Sequence, residues 1–523
     1  MLIRHHARPS LTLAIMLVYC TVALGAELTV GVQGSLRSLD PHYYNLAANN
    51  ALNRHIYDAL VVQDAQGRLY PGLAVHWKSE SGNAWQFVLR RGVRFHDGSP
   101  LTADDVIYSL ARARSVPNSP ASFARHTRHI ISMEKVDEIT VRLRTAGPRP
   151  ALPRDLSHVR IMSLKASEGK HSAQIDAGDG AVGTGPYRLA AWKPGTPLVL
   201  DRNEQYWATA PPWTRVTFLF IPDGARRVQA LLAGEVDAIE AVPPDAIERL
   251  AKKSGISIIR RQSSRLIFLH LDSGRKKSPF VTGTRGINPL QKLQVRKGIS
   301  LAINRSAIAS DVMEGLAVPS GQLLPKGHFG HIPALKPDRF NRRGAKRLLA
   351  RGGFPRGFGL TLHGPNNQFP FDAQLLEAIA GALKRIGIRA ETETKSRRIF
   401  FTIAARREFS AYLSRWNDGA AGAAAMLRSL LASYDPERRM GMRNHGRFSD
   451  PALDTALERA LTAMDNERRA YLLQEATRIG IAAYGIIPLF FEVDTWAMRK
   501  GFTLRPGGFG AILATDFRPS DGD

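Results

Sequence analysis

At 523 residues, with 44% hydrophobic and 23% charged side chains, the chain has the composition of a soluble globular protein. It is too long for one hydrophobic core, so two or three domains are expected. Its one cysteine, Cys20, excludes an internal disulfide and a cysteine-built metal site, and the net charge of +26 raises nucleic-acid binding as a class. That charge is dispersed in pairs such as Arg260-Arg261, Arg342-Arg343, Arg397-Arg398 and Arg406-Arg407, with no long basic run interleaved with aromatics. The pattern favours a solvated basic surface able to attract anionic solutes or a membrane surface, and no nucleic-acid partner is expected.

In chain order, Arg4 and Arg8 precede a mostly apolar stretch over 11–24 that is short for a membrane span. Ala23-Leu24-Gly25 then fits a small-x-small cleavage site, so residues 1–25 read as a signal peptide and the mature chain starts near Ala26. Cleavage removes Cys20, and Tyr19 stands where a lipoprotein site needs a small residue. Strands are expected at 28–32, 85–89, 140–143, 198–200, 216–221, 256–259, 266–271 and 360–362. Helices are expected at 226–233, stopped by Gly234, at 372–386, stopped by Gly387, and at 466–484. Alternating strands and helices predict an α/β or mixed α+β fold.

Residues 90–114 read RRGVRFHDGSPLTADDVIYSLARAR. Val93 and Phe95 alternate with Arg94 and His96 as in a half-buried strand, Asp97-Gly98 supplies a turn, and Thr102 with Asp105 approaches a capping box. Val106, Ile107 and Leu110 give the following helix its apolar face.

That string strongly resembles the signature of the family 5 extracellular solute-binding proteins, the periplasmic receptors of dipeptide, oligopeptide and nickel ABC importers. Further matches follow in the family's order: Ser38-Leu39-Asp40-Pro41-His42, Gly183-Thr184-Gly185-Pro186-Tyr187, Asn203-Glu204-Gln205-Tyr206-Trp207, Leu231 to Ala238, and Val295 to Arg305. The resemblance runs from about residue 28 to nearly 500 and implies a two-lobed fold of the type II periplasmic-binding-protein kind, with an inserted subdomain and a central ligand cleft. On that map lobe one takes 26–50, 183–266 and 492–523, the inserted subdomain takes 51–182, and lobe two takes 267–491. The strand over 263–271, running into a polar Gly- and Lys-rich loop at 272–279, is expected to form one hinge crossing.

The resemblance also implies a function. The chain would capture a peptide or peptide-like solute in the periplasm by hinge closure and deliver it to inner-membrane ABC permease subunits, as a monomer, without cofactor or catalysis. In peptide-binding relatives the segment matching Ser414-Arg415-Trp416-Asn417-Asp418-Gly419 touches ligand. Trp416 is then an aromatic wall and Asp418 a cation anchor, with Asn417 between them. The Trp-to-Asp spacing is shorter than the family's by one and the following Asp-Pro is absent, which leaves an opine, a sugar or a metal chelate open as the solute. Otherwise Asp418 caps a helix over 423–431. Ser264, Arg265, His42 and Tyr43 are further candidate contacts, Arg265 by bidentate pairing with a carboxylate.

The rival readings are a secreted hydrolase and a receptor feeding a sensor. Ser167-Glu168-Gly169-Lys170 matches S-x-x-K without the partner motifs of a serine acyl-enzyme. Gly183-Thr184-Gly185-Pro186 lacks the ending of a phosphate loop and reads as a turn. His328 and His331 lie among Gly and Pro, which favours ordinary loop histidines over a metal pair.

Overall fold

The computed structural model describes residues 26–416, 422–505 and 513–520, so the expected signal peptide over 1–25 lies outside the described residues. Two strands organise the rest: Ile256–Leu271 and Ile486–Arg499, of 16 and 14 residues. They pair antiparallel along nearly their whole length, with a register shift between Gln262 and Leu266. On one side of this bulge, 256–262 pairs with 493–499; on the other, 266–270 pairs with 486–491. A bulge bends and twists a strand without ending it, so both strands serve two halves of one curled sheet.

The sequence reads as a strand at 256–259 and another over 263–271, with the polar run Arg260-Arg261-Gln262 between them. The ladder continues through it since backbone hydrogen bonds do not require apolar side chains. The lobes therefore cross in mid-strand. The loop at 272–279 is not free to hinge: Asp272 receives Arg275 at 2.7 Å and Ser278 at 2.6 Å, and Asn288 donates to Asp272 O at 2.7 Å.

Lobe one is built around Glu27–Val32, parallel to Arg215–Phe220 and Ala238–Glu240, with Leu198–Arg202 and Tyr187–Ala191 continuing the sheet. Its core includes Leu28, Val30, Trp213, Phe218 and Trp496. Lobe two pairs Gly359–Asn366 in parallel with Arg389–Ser396 and Ala411–Trp416. Helix Asp372–Lys384 buries Leu375, Leu376, Ile379 and Leu383 against that sheet, and Gly387 at φ +104° ends the segment. A second lobe-two core holds Trp416, Met426, Leu453, Leu457, Leu472 and Leu473, between helices Pro451–Thr462 and Asn466–Ala482. The segment after Trp416 forms helix Gly422–Met426 and then a π turn, Leu427–Leu431.

The inserted subdomain is a four-stranded antiparallel sheet of Ala74–Ser81, Ala84–Leu89, Thr140–Thr145 and Ile130–Asp137, covered by helix Ala103–Arg114. Phe87, Val106, Leu110 and Leu143 are fully buried there. The 90–114 segment differs from expectation at its start. Val93 and Phe95 point inward, but only a single bridge, Arg94 to Pro100, forms in place of a strand. The turn holds as read, with Gly98 at φ +81° and Asp97 Oδ1 accepting from Ser99 N at 3.0 Å. Asp105 closes the helix start by accepting from Thr102 N at 2.8 Å, and its other oxygen accepts from Leu164 N at 2.9 Å.

His96 explains why this turn sits against Gly183-Thr184-Gly185. Its backbone N–H donates to Gly183 O at 2.9 Å, and its ring bonds Gly185 O at 3.0 Å. A Cβ at Gly183 would meet Ile56 O at 2.0 Å, so the glycine is required for close backbone approach and not for a phosphate. Gly183→Ala is expected to destabilise the fold by about 1–3 kcal/mol, with chemical denaturation as the readout; a loss below about 0.5 kcal/mol would mean that the seam relaxes freely.

Candidate functional site

The bulge where the lobes cross gathers four charged side chains from three strands. Arg265 comes from Ile256–Leu271, Arg415 from Ala411–Trp416, and Glu492 and Asp494 from Ile486–Arg499. Arg265 Nε pairs with Glu492 and its Nη2 with Asp494; Arg415 Nη1 reaches Glu492 Oε1 at 2.8 Å. Burial works against the charge on Arg265, but Asp494 and Glu492 more than compensate and hold it above the usual arginine range. Two cations meet two anions, so the cluster is charge-balanced. Phe369 lies under the Arg415 guanidinium at 5.8 Å.

The residues expected to touch solute divide around this cluster. Arg265 is at its centre, with both carboxylates already engaged. Ser264 is buried in the bulge, and Ser263 beside it accepts from Arg265 N at 3.2 Å. Trp416 sits opposite Leu266 in the strand ladder, 6% exposed, within the second lobe-two core and with Arg443 over its ring at 5.5 Å. Asn417 and Asp418 lie outside the described residues. Tyr43 is half-buried, edge-on to Tyr44 at 5.6 Å, and its carbonyl accepts from Ser119 Oγ at 2.7 Å.

His42 requires a correction. Its side chain has 0% exposure, its Nε2 bonds Arg160 O at 2.8 Å, and its ring packs edge-on to Phe123. Burial pushes its pKa down to about 4, so it is a neutral, structural imidazole at neutral pH with no face toward a cleft. Beside it, Asp40 accepts from Arg112 Nη1 at 2.7 Å and Nη2 at 2.5 Å, and from Ser172 at 2.6 Å. Burial raises the Asp40 carboxyl, but Arg112 reverses this and leaves it below the usual carboxylate range. The Ser-Leu-Asp-Pro-His string thus secures the seam between lobe one and the inserted subdomain.

Sequence reasoning missed Glu492, Asp494 and Arg415 as a unit. One signal was legible: two carboxylates at i and i+2 interrupt the apolar run Ile486-Ile487-Pro488-Leu489-Phe490-Phe491, on one face of a strand. Their partners are over 70 residues away in sequence and are set by strand pairing. Elsewhere, Ser167 Oγ donates to Ser163 O at 2.6 Å and Lys170 pairs with Asp179, so the S-x-x-K residues serve local structure. Among the described residues, no group of three or more His, Cys, Asp or Glu side chains is placed to hold a metal ion.

Residues 68–437 match the family of bacterial extracellular solute-binding proteins, family 5 (middle), which is well over half of the chain. The chain belongs to this family. It is 23% identical over 517 residues to the periplasmic oligopeptide-binding protein OppA of Salmonella typhimurium, covering 91% of each chain. It is 25% identical over 545 residues to the glutathione-binding protein GsiB of Salmonella paratyphi A, covering 100% of this chain and 99% of that one. Among solved structures, HbpA2 from Haemophilus parasuis superposes with a TM-score of 0.79 at 24% identity, covering 94% of this chain and 100% of that one. In this family 5 protein the mid-strand crossing is the junction of the two lobes, and the Arg265–Glu492–Arg415–Asp494 cluster sits on it.

Proposed function

We propose that this protein is the exported substrate-binding component of a bacterial ABC importer, capturing a peptide or a peptide-like, amino-acid-derived solute between its lobes. The observation that carries the reading is the paired crossing of both long strands at one bulge, with the Arg265–Glu492–Arg415 ion pairs placed on it. Such a junction permits rigid-body closure of the lobes, and closure around a solute is a binding mechanism that needs no bond to be made or broken. OppA and GsiB, which bind oligopeptides and glutathione by name, support the solute class.

On this reading lobe one comprises 26–50, 183–266 and 492–523, the inserted subdomain 51–182, and lobe two 267–491. The signal peptide over 1–25 directs export to the periplasm, and the mature monomer presents its closed form to membrane permease subunits. Asp418 is the cation anchor for the solute's ammonium group, with Asn417 beside it. Trp416 provides the edge of an aromatic wall. Ser264, Arg265 and Tyr43 border the cleft, Arg265 acting through its carboxylate partners and not as a free guanidinium.

The test is native mass spectrometry of the mature protein from the periplasm, release and identification of the bound solute, and calorimetric titration with it. Asp418→Ala is expected to weaken binding about tenfold to a hundredfold, the range for a charge-assisted hydrogen bond, and Trp416→Ala about tenfold. Unchanged affinity in both variants would sink the assignment of this segment to the site.

A further inference from the structure

A cavity of about 300 Å³, lined by none of the four charged residues of the crossing, lies where lobe one, the inserted subdomain and the C-terminal segment meet. Three guanidinium groups from distant parts of the chain line it. Arg54 directly follows helix Ala47–Asn53, Arg160 forms a backbone bridge with Ala59, and Arg518 lies on strand Phe517–Pro519. A volume of this size accepts a small molecule rather than a lone ion.

These arginines are poorly matched by the protein itself. Arg160 donates a hydrogen bond to Ser157 O at 3.1 Å, and Arg518 donates to the carbonyls of Thr515 and Phe517. Among the described residues no carboxylate forms an ion pair with Arg54, Arg160 or Arg518. The one carboxylate in the lining, Asp58, spends its oxygens on neutral donors: Trp207 Nε1 at 2.8 Å, Thr184 Oγ1 at 3.0 Å and Tyr206 OH at 3.4 Å. Burial pushes that carboxyl up to about 6, so at neutral pH it is largely ionised, a single anion in the lining beside three cations. Burial likewise works against the charge on Arg54 and Arg160. Asp516, outside the lining, also acts on Arg54, yet the three guanidinium groups outnumber these two carboxylates, and an anion between them lowers the cost of burying the charge.

The remaining lining selects among anions. Val62, Pro186 and Leu513 give the cavity apolar wall beside the guanidinium groups. A carboxylate head meets the planar donor forks of arginine in bidentate fashion, while an apolar body covers that wall.

We propose that this cavity is a second ligand site, for a small organic carboxylate held by Arg54, Arg160 and Arg518 and separate from the cleft between the lobes. A ligand there joins three parts of the molecule, so it also stabilises the seam between lobe one and the inserted subdomain.

The test is calorimetric titration of the mature protein with sodium benzoate at low salt and near-neutral pH, with sodium phosphate and benzyl alcohol in parallel and thermal melts of each mixture. Benzoate is expected to bind with one-to-one stoichiometry and to raise the melting temperature, while benzyl alcohol does neither. Arg54→Gln and Arg160→Gln are each expected to weaken benzoate at least about tenfold, the loss of one charge-assisted pair. Trp416→Ala, which alters the cleft, is expected to leave benzoate affinity intact. Should either glutamine variant fail to fold, Arg54→Lys keeps the charge without the planar fork and is expected to retain only part of the affinity. No benzoate binding, binding that ignores the arginine variants, or binding lost in Trp416→Ala would each overturn the proposal. Phosphate binding without benzoate binding would overturn its organic ligand class.

Discussion

Arg112→Ala is expected to cost about 3–5 kcal/mol of unfolding free energy at neutral pH, because it leaves Asp40 as a buried carboxylate without its cation. Asp40 has 0% exposure, and Arg112 supplies both nitrogens of a bidentate pair. Ser172 remains as a donor to Oδ2 at 2.6 Å and the His42 backbone N–H as a donor to Oδ1 at 3.0 Å, two neutral donors that do not replace the cation. The pH dependence identifies the mechanism. In the wild type the Asp40 carboxyl titrates below its ordinary value, so its stabilisation is full above the unfolded pKa near 4 and is lost as pH falls through the lower folded value. In the variant, burial dominates and raises the folded pKa, so protonation relieves the folded state. The gap between the two proteins is therefore expected to start narrowing above about pH 4, as the variant's Asp40 takes up its proton, and to narrow further below about pH 4 as the wild-type pair is titrated. Urea denaturation across that range is the measurement. A loss under about 1 kcal/mol, or a gap independent of pH, would rule out the buried-pair account.

Glu492→Ala is the second large effect. Glu492 is the carboxylate shared by Arg265 and Arg415, and removing it breaks both of those ion pairs at once. The expected stability loss is about 3 kcal/mol, the low end for breaking a buried pair, since these side chains keep some contact with water. Because the cluster lies on the crossing strands, the variant is also expected to change the balance of open and closed lobes, read by small-angle scattering with and without solute. Glu492→Gln keeps the shape and two hydrogen-bonding groups and should recover part of the stability. Full wild-type stability and unaltered scattering in Glu492→Ala would show that the cluster plays no part in holding the junction.

Both effects fall at places that a linear reading reached only halfway. Asp40 and His42 were visible as part of a matching string, and Arg112 as a basic residue at the end of a helix. That Asp40 takes Arg112 across 72 positions, and that His42 turns inward to Arg160, follows from how the inserted subdomain docks on lobe one. The same holds for Trp416. Its place in a segment matching the family was legible, whereas the strand it ends and its burial under Arg443 depend on pairing with Leu266 and on a loop that returns after residue 440.

By itself the sequence determined the local events, because these depend on neighbouring residues. Glycine at 98 permits the turn at φ +81°, Gly234 at φ +76° ends the helix Gly224–Ala233, and regular apolar spacing places Leu375, Leu376, Ile379 and Leu383 on one buried face. It also carried the family through a long contiguous string. Tertiary structure alone decided where the lobes cross. A polar stretch reads as a break in one dimension, yet Arg260 to Gln262 stay in the ladder because the strand ending at Arg499 supplies their backbone partners. It alone also decided which charges meet, bringing Arg265, Arg415, Glu492 and Asp494 to one bulge and Arg54, Arg160 and Arg518 to one cavity. Coulomb interactions act through distance in space, and sequence separation carries no information about that distance until the chain has folded.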